Sequence, residues 1–336
     1  MDDKNVEVKE TAGIADDKTD NSPLLMIEGV SKEFTVDKKK TLKAVSEISL
    51  SLARGEQVAI VGESGCGKST LAKLVACMEK VSSGRITFDG DDITGLKGAK
   101  LKAYRRQVQM IFQDPSGVFS PRMRVGTFLM EPWINFEHLN RQQAKEKAIE
   151  SLERVSLSEE YFKKYPHQLS GGELQRVAIA RAISLKPKLL ICDEATSALD
   201  VSIQRSILEL LNEYHEETGF SNLLISHDLA LAEDFCDRVA VMYLGRIVEV
   251  LEAKALRKNA KHPYTKALLD SVFSIHDPKD KKINVLKGEP PSPIDLPEGC
   301  AFRDRCDCRS GQCAETSPEL KDLEGVHQVA CFEMKH

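Results

Sequence analysis

The chain has 336 residues, of which 41% are hydrophobic and 29% are charged, and its net charge is −5. This composition is typical of a globular protein with one large domain and a smaller piece, or with two domains. The negative charge gives no electrostatic reason to expect nucleic-acid binding, and no apolar run reaches the roughly 18 residues that a membrane span needs. The N-terminus lacks the apolar core of a signal peptide, which favours a cytoplasmic protein.

Predicted strands and helices alternate along most of the chain. Residues 1–22 are polar and acidic, and they predict a disordered tail. Alternating or continuous apolar residues predict strands at 24–34, 48–52, 57–61, 85–88, 108–112, 188–192 and 222–226. Helical spacing predicts helices at 68–79, 173–185 and 201–217, with a helical insertion over about 125–170. This alternation favours an α/β fold with a mainly parallel sheet.

A glycine-rich loop follows the third predicted strand. Its sequence, Gly62-Glu63-Ser64-Gly65-Cys66-Gly67-Lys68-Ser69, matches the phosphate-loop pattern Gly-x4-Gly-Lys-Ser in full. Such a loop turns backbone N–H groups toward phosphates, and the following helix adds the positive end of its dipole. Lys68 would contact the β- and γ-phosphates, and Ser69 would ligate Mg²⁺. The predicted ATP-binding residues of the loop are Gly62, Ser64, Gly65, Cys66, Gly67, Lys68, Ser69 and Thr70.

Two acidic residues end the predicted strand at 188–192. Asp193 would hold the Mg²⁺ shell, and Glu194 would act as general base toward the attacking water. Taken alone, this pair could equally be two solvated acids at a strand end. The phosphate loop in the same chain favours the nucleotide role.

A second glycine-containing helix start occurs at Leu169-Ser170-Gly171-Gly172-Glu173. This motif resembles the signature loop of ABC-transporter ATPase subunits. The resemblance implies that Ser170, Gly171, Gly172 and Glu173 contact ATP held by a partner subunit, so that a dimer encloses two nucleotides. Many members of the family carry glutamine where this chain has Glu173, but an acid also suits a helix start.

The other motifs of that family follow in order. The resemblance implies that Gln113 senses the γ-phosphate and that His227 is the switch histidine beside it. Phe34 matches the aromatic that stacks on adenine, although a phenylalanine in a strand is more often part of a core. Asp200, in Ser197-Ala198-Leu199-Asp200, matches the loop that communicates across the dimer. The predicted catalytic residues are therefore Glu194, His227 and Gln113, and the predicted Mg²⁺ ligands are Ser69, Gln113 and Asp193.

The resemblance also implies an architecture. It is an ABC-type P-loop ATPase core with a mainly parallel sheet, an antiparallel N-terminal β-subdomain, a helical insertion and a small cysteine-rich C-terminal extension. We expect the ATPase domain at 23–258, its helical subdomain at about 125–170 and the extension at 259–336. Four prolines predict a stiff linker into the tail: Pro290, Pro291, Pro293 and Pro297.

Within this family, the chain most resembles the ATPases of oligopeptide/dipeptide permeases, and more the second of their two ATPase subunits. The motifs that carry this likeness are Phe112-Gln113-Asp114-Pro115, Ser120-Pro121-Arg122-Met123, His262-Pro263-Tyr264-Thr265 and Gly299-Cys300-x-Phe302-x2-Arg305-Cys306. The likeness implies a peptide importer at the cytoplasmic face of the cell membrane. Its other parts would be a sibling ATPase in a heterodimer, two transmembrane permease subunits and an extracellular substrate-binding protein. An importer of the same branch for a nickel chelate or another small solute is the alternative. A non-transport ABC ATPase is disfavoured by the single cassette and the short insertion.

Five of the nine cysteines crowd into the C-terminal tail: Cys300, Cys306, Cys308, Cys313 and Cys331. Disulfides are rare in cytosolic proteins, so the cluster predicts a metal. The resemblance implies a [4Fe–4S] cluster on Cys300, Cys306, Cys313 and Cys331, as some members of the branch have. Structural Zn²⁺ and a metal-free tail are the alternatives, and Cys308 is extra to the shared pattern.

Cys66 lies inside the phosphate loop, immediately before a predicted helix. A helix N-terminus lowers the pKa of a thiol. We therefore expect a reactive thiolate at Cys66 whose alkylation blocks ATP binding and which bound ATP protects.

Overall fold

A computed structural model describes residues 22–37, 40–195, 201–271, 288–294, 296, 298–323 and 325–333. The predicted disordered tail at 1–22 lies outside these residues, apart from Ser22. The strands are β1 (Leu25–Asp37), β2 (Lys40–Leu52), β3 (Gln57–Val61), β4 (Ser83–Phe88), β5 (Asp91–Asp92), β6 (Val108–Ile111), β7 (Leu189–Asp193), β8 (Ser221–Ser226), β9 (Arg238–Tyr243), β10 (Arg246–Glu252), β11 (Lys321–Asp322) and β12 (Gln328–Val329). The helices are α1 (Lys68–Val75), α2 (Gly98–Gln107), α3 (Val125–Phe136), α4 (Arg141–Arg154), α5 (Gly171–Ser184), α6 (Val201–Thr218), α7 (Leu229–Phe235), α8 (Leu256–Asn259), α9 (Pro263–Ser271) and α10 (Gln312–Glu315).

The N-terminal strands form a four-stranded antiparallel sheet in the order β2-β1-β4-β5. Ile27 of β1 lies between Leu50 of β2 and Ile86 of β4. All three side chains are buried because the alternation of apolar and polar residues turns one face of each strand inward. The antiparallel N-terminal β-subdomain is therefore confirmed.

The central sheet has eight strands in the order β11-β12-β10-β9-β3-β8-β7-β6. The five strands from β9 to β6 are mutually parallel, and the remaining pairs are antiparallel. The predicted mainly parallel sheet is confirmed for this half. Residues 58–61 of β3 and 189–192 of β7 are all apolar and buried, because helices or the other sheet cover both faces of a parallel sheet.

Successive residues of the parallel strands belong to two different cores. Ala59 and Val61 of β3 face a core that also contains the helical insertion and the C-terminal extension. Val58 and Ile60 face the other core, which the N-terminal sheet, α1 and α2 complete. Both cores thus meet on β3, and the loop that follows this strand is positioned by both.

Helices α3 and α4 make up the predicted insertion and pack against α5. Asn140 caps α4 by accepting from the Gln143 N–H, while the Gln143 side chain accepts from the Asn140 N–H. This reciprocal pair fixes where α4 begins. Among the helices of the described residues, none is both long and apolar enough to cross a bilayer.

Two details of the elements differ from the sequence prediction. Helix α1 ends at Val75 rather than near residue 79, because Cys77 has a left-handed backbone with φ of 50°, which cannot continue a helix. The C-terminal tail is not a separate piece beyond a linker. Its strand β12 pairs with Glu249 and Val250 of β10, and the Lys43 N–H of β2 donates to the Pro293 carbonyl at 3.2 Å.

Candidate active site

The loop between β3 and α1 passes very close to neighbouring backbone. A Cβ at Gly62 would lie 2.1 Å from the Met242 carbonyl oxygen, and one at Gly67 would lie 2.1 Å from the Ala44 carbonyl oxygen. Gly67 also has a φ of 108°, which favours glycine. Both glycines of the sequence pattern are thus required by packing as well as by conformation. Ser64 and Gly65 are exposed at the outer part of the loop.

The Lys68 ammonium group is held inside this loop. Its Nζ donates to the carbonyl oxygens of Gly62 at 2.8 Å and Glu63 at 3.0 Å, and the residue is only 4% exposed. No side chain of the described residues caps the start of α1, so the N–H groups of that first turn remain directed at the loop. A buried cation beside an uncapped helix start forms a site for an anion.

Ser69 and Asp193 meet at the other side of the loop. The Ser69 hydroxyl donates to Asp193 Oδ1 at 2.7 Å, joining α1 to the end of β7. Burial raises the pKa of the Asp193 carboxyl, and the hydrogen bond from Ser69 partly opposes this. A hydroxyl and a carboxylate are the oxygen ligands that Mg²⁺ takes in proteins, so the donor set fits the predicted metal. Thr70, the next residue, is half-buried on α1.

Glu194 follows Asp193 and lies between the other two predicted catalytic residues. Its backbone has a φ of 45°, and its N–H donates to the Ile225 carbonyl at 3.0 Å. The Gln113 amide donates to Glu194 Oε2 at 2.7 Å, and His227 Nδ1 lies 3.9 Å from Glu194 Oε1. Gln113 follows β6, Glu194 follows β7 and His227 follows β8, so the parallel sheet brings all three together at the carboxyl ends of its strands.

The predicted adenine-stacking residue is separate from this group. Phe34 lies on β1, is half-buried, and has the Lys32 Nζ 4.7 Å from its ring centroid. It is therefore not a core residue, which was the simpler alternative. A role in adenine stacking stays a prediction.

The predicted signature loop forms the capped start of α5. The Ser170 hydroxyl accepts from the Glu173 N–H, and Glu173 Oε2 accepts from the Ser170 N–H at 2.7 Å. The Tyr161 hydroxyl also donates to Glu173, and this bond, followed by those from Ser170, lowers the pKa of the Glu173 carboxyl. Gly171 is exposed, whereas Gly172 packs near Ile203 of α6. Asp200 lies outside the described residues.

The expectation of a reactive thiolate at Cys66 is wrong. The residue is 4% exposed, and burial raises the pKa of its thiol. Lys68 opposes this shift, with its Nζ 3.9 Å from the sulfur, but burial is the larger effect. The sequence argument considered the helix N-terminus and not the packing of the loop.

Three residues at this site had no role in the sequence prediction. Both Nη atoms of Arg305 donate to the Glu63 carboxylate, at 2.7 and 2.9 Å, and the Tyr264 hydroxyl accepts from the Glu63 N–H at 2.9 Å. Tyr264 and Arg305 belong to the C-terminal extension, and both stand in motifs used to recognise the branch. A single sequence gave no signal that they contact the phosphate loop.

The five tail cysteines line one small cavity of about 10 Å³, with His262 and Phe302 in its wall. All nine cysteines are free thiols. In the described part of the chain, no group of three or more cysteine, histidine or acidic side chains is placed so that it could hold a metal ion. The thiols are thus gathered but not arranged as ligands, and the predictions of [4Fe–4S] and Zn²⁺ have no support in the structure.

Two family models match the chain. Residues 45–197 match the ABC transporter family, and residues 248–313 match the C-terminal region of oligopeptide/dipeptide transporters. Together they span the phosphate loop, the signature loop, the acid pair and the first part of the extension.

Relatives cover nearly the whole chain. It is 44% identical to a probable peptide ABC transporter ATP-binding protein, y4tS of Sinorhizobium fredii, over 92% of this chain and 89% of that protein. It is 43% identical to the oligopeptide transport ATP-binding protein OppF of Salmonella typhimurium, over 90% of this chain and 91% of that one.

Solved structures agree on the fold. The dimeric ATP-binding cassette MJ0796, in a post-hydrolysis state with ADP and Pi, superposes with a TM-score of 0.63 at 28% identity, covering 68% of this chain and 98% of that one. The structure of cbiO1 from Clostridium perfringens, part of the ABC transporter complex cbiONQ, superposes with a TM-score of 0.61 at 31% identity. The match covers 69% of this chain and 89% of that one. The chain therefore belongs to the family of ABC transporter ATP-binding proteins that carry the C-terminal region of oligopeptide/dipeptide transporters.

Proposed function

We propose that this chain is the ATP-hydrolysing subunit of an ABC importer for di- or oligopeptides. The observation that carries the proposal is the set of groups at one edge of the sheet: Lys68 in the loop, Ser69 bonded to Asp193, and Glu194 between Gln113 and His227. The peptide cargo is inferred from the relatives, which are named for peptide and oligopeptide transport. No relative reported above is named for a nickel chelate, so that alternative has no support.

In the proposed reaction, the loop N–H groups and Lys68 bind the triphosphate of ATP. Ser69, Gln113 and Asp193 would hold Mg²⁺, which neutralises charge on the phosphate oxygens when bound. Glu194 accepts the proton of the water that attacks the γ-phosphate. The hydrogen bond from Gln113 orients the Glu194 carboxylate for this step. His227, whose Nδ1 lies 3.9 Å from Glu194 Oε1, would respond to the γ-phosphate beside that carboxylate.

The second half of each site comes from another ATPase subunit in this proposal. Ser170 and Glu173 hold the start of α5 in a fixed conformation through bonds within their own loop and to Tyr161. The cap uses the Glu173 N–H, so in this proposal the N–H groups of Gly171 and Gly172 at the same helix start would bind the phosphates of a nucleotide on a facing chain. The dimeric relative MJ0796 supports the arrangement. A non-identical sibling subunit is the partner that we infer from the likeness to two-ATPase permeases.

The permease partners would contact the helical subdomain at about 125–170. A groove of about 310 Å³ on α3 is lined by Met130, Ile134 and Leu139, and Ile134 is 39% exposed. Val118, in the segment after Gln113, is also exposed. The exposed apolar side chains of Ile134 and Val118 suit contact with a membrane-embedded partner. Such a contact would place the chain at the cytoplasmic face of the membrane. The substrate-binding protein, and not this chain, would select the peptide.

The division into an ATPase domain at 23–258 and an extension at 259–336 belongs to the same proposal. The second family model begins at residue 248, near this boundary, which supports it. The extension nevertheless continues the central sheet through β12.

A metal in the cysteine cavity is not part of the proposed function, because the thiols as placed form no ligand set. Anaerobic purification with iron, sulfide and zinc analysis tests this. A stoichiometric cluster would mean that the cavity walls rearrange when the metal binds.

The proposal is tested by co-expressing the chain with the permease and sibling ATPase genes next to it, and by measuring uptake of a labelled tripeptide into cells lacking other peptide importers. Uptake should require the chain and should be lost in Lys68→Ala. Normal tripeptide uptake without the chain would overturn the peptide assignment. Normal uptake with Lys68→Ala would overturn the ATP site.

A further inference from the structure

Glu63 is held on three sides although it is not one of the pattern residues of the phosphate loop. Its carboxylate accepts two hydrogen bonds from Arg305, its N–H donates to the Tyr264 hydroxyl, and its carbonyl accepts from Lys68 Nζ. The partners of the carboxylate and the N–H come from the C-terminal extension. The third partner is the lysine that would bind the ATP phosphates.

Arg305 is suited to this contact by its geometry and surroundings. The pairing is bidentate, and a planar guanidinium fixes both the position and the orientation of a carboxylate, which lysine cannot do. The Arg305 side chain is only 5% exposed, so water competes little for its bonds. Its Nη1 is also 3.4 Å from the Tyr243 hydroxyl at the end of β9.

Tyr264 is fixed equally well. Its ring packs against Tyr243, with centroids 4.6 Å apart, and against Phe302 at 5.4 Å. The Tyr264 residue is fully buried. The hydroxyl therefore meets the Glu63 N–H from a rigid aromatic cluster formed by both the core sheet and the extension.

We infer that Arg305 and Tyr264 are positioning residues for the nucleotide site: through Glu63, the C-terminal extension holds the phosphate loop and Lys68 in the geometry that binds ATP. This inference rests on the proposed function, because it assumes that the loop from Gly62 to Ser69 binds the triphosphate. It gives the extension a part in the ATPase cycle that does not depend on a metal in the cysteine cavity.

Losing the Arg305 bonds would leave the Glu63 carboxylate, 27% exposed, free to move, and would loosen the carbonyl that holds Lys68. The loop contacts the phosphates of ATP both in the bound ground state and in the transition state of hydrolysis. A loosened loop therefore weakens the binding of both states equally. The expected signature is a raised Kd and KM for ATP with little change in kcat.

The test measures binding of a fluorescent ATP analogue to the full chain, and ATPase kinetics of the assembled transporter. Arg305→Met should raise both Kd and KM about tenfold, as expected for loss of a second layer of contacts around a site. Arg305→Lys keeps the positive charge but not the bidentate contact, so its Kd and KM should lie between those of wild type and Arg305→Met. Tyr264→Phe removes only one hydroxyl and should raise the Kd for ATP to a smaller extent. It replaces Arg305→Met in the test if Arg305→Met does not fold. Arg309→Met is the matched control, because Arg309 is an exposed arginine of the same tail.

A double-mutant cycle separates positioning from simple loss of stability. If Arg305 acts through Glu63, Arg305→Met in a Glu63→Gln background should add little to the effect of Glu63→Gln on Kd. A Kd within twofold of wild type in Arg305→Met and Tyr264→Phe, even with a lowered melting temperature, would overturn the inference. Lys68→Ala distinguishes the two proposals: if it binds ATP like wild type, the ATP site itself is misassigned. If it loses binding while Arg305→Met does not, only the positioning role fails.

Discussion

Gln113 and Glu194, 81 residues apart in the chain, are joined by a hydrogen bond of 2.7 Å from the Gln113 amide to Glu194 Oε2. The bond connects the end of β6 to the end of β7. It leaves Oε1 facing His227, at 3.9 Å. One carboxylate oxygen thus accepts from Gln113, and the other lies on the side of His227.

Replacing Glu194 with glutamine should stop hydrolysis without preventing ATP binding. A glutamine side chain keeps the shape of the glutamate and one oxygen that can accept from Gln113, but it cannot take a proton from water. We expect kcat to fall by about 10²–10⁴-fold, the usual range for loss of a general base, with Kd for ATP within about twofold of wild type. Single-turnover hydrolysis in the assembled transporter measures the first quantity and equilibrium binding the second.

Glu153→Gln is the matched control for this substitution, because Glu153 is an exposed glutamate on α4. It should hydrolyse ATP at the wild-type rate. Turnover in Glu194→Gln equal to that of the control would remove Glu194 from the role of base.

The raised pKa of Asp193 predicts that Mg²⁺ is needed at higher concentration in acid. Burial favours the protonated carboxyl, so protonation of Asp193 begins at a higher pH than for an ordinary aspartate. A protonated carboxyl is a poor Mg²⁺ ligand, and protons therefore compete with the metal as the pH falls. The concentration of Mg²⁺ that half-saturates ATP binding should rise between pH 8 and pH 5.

Asp193→Asn tests whether this dependence belongs to Asp193. The variant should need more Mg²⁺ at every pH, and its requirement should change less with pH than that of wild type. A wild-type requirement that is the same at both ends of the range would contradict the assignment of Asp193 to the metal.

Burial of Cys66 predicts slow alkylation. The thiol is protonated at neutral pH because burial raises its pKa, and only the thiolate reacts. Ser64, two residues earlier, is exposed in the same loop. With iodoacetamide at pH 7.5, Cys66 should react at least about tenfold more slowly than a thiol introduced by Ser64→Cys in a Cys66→Ala background. Peptide mapping by mass spectrometry measures the alkylation rate of each cysteine separately. Equal alkylation rates for the two thiols would mean that Cys66 is a reactive thiolate after all.

The parts of the site that the sequence predicts are those built from neighbours in the chain. The phosphate loop, from Gly62 to Ser69, needs only a strand before it and a helix after it, and both produce clear patterns. Asp193 and Glu194 directly follow an apolar strand. In each case the motif and the elements that position it lie within about a dozen residues, where periodicity is a reliable signal.

The parts that the sequence does not predict depend on distant contacts or on packing. Arg305 meets Glu63 across 242 residues, and neither residue has a pattern that names the other. Strands β11 and β12 have two residues each, which is too short for an alternation to be recognised. The burial of Cys66 depends on how the whole loop packs, so its pKa could not be inferred from its place beside a helix.

The link between the extension and the core also has a buried ionisable residue at its centre. Glu249 of β10 is fully buried, and its carboxylate accepts from the backbone N–H groups of Lys261 at 2.6 Å and His262 at 3.2 Å. His327 Nε2 lies 2.9 Å from Glu249 Oε1, within hydrogen-bond distance. The extension is thus bonded to one core side chain from two separate segments.

His327→Ala should therefore lower the stability of the protein. It removes one hydrogen-bond partner from the buried Glu249 carboxyl group, which costs about 1–3 kcal/mol of the free energy of unfolding. Val326→Ala, at an exposed neighbouring position, should change it by no more than about 0.5 kcal/mol. Denaturant unfolding of the two variants measures both values, with limited proteolysis to detect release of the tail. Equal stability of the variants would mean that the two backbone donors alone satisfy Glu249 and that His327 contributes nothing to docking of the extension.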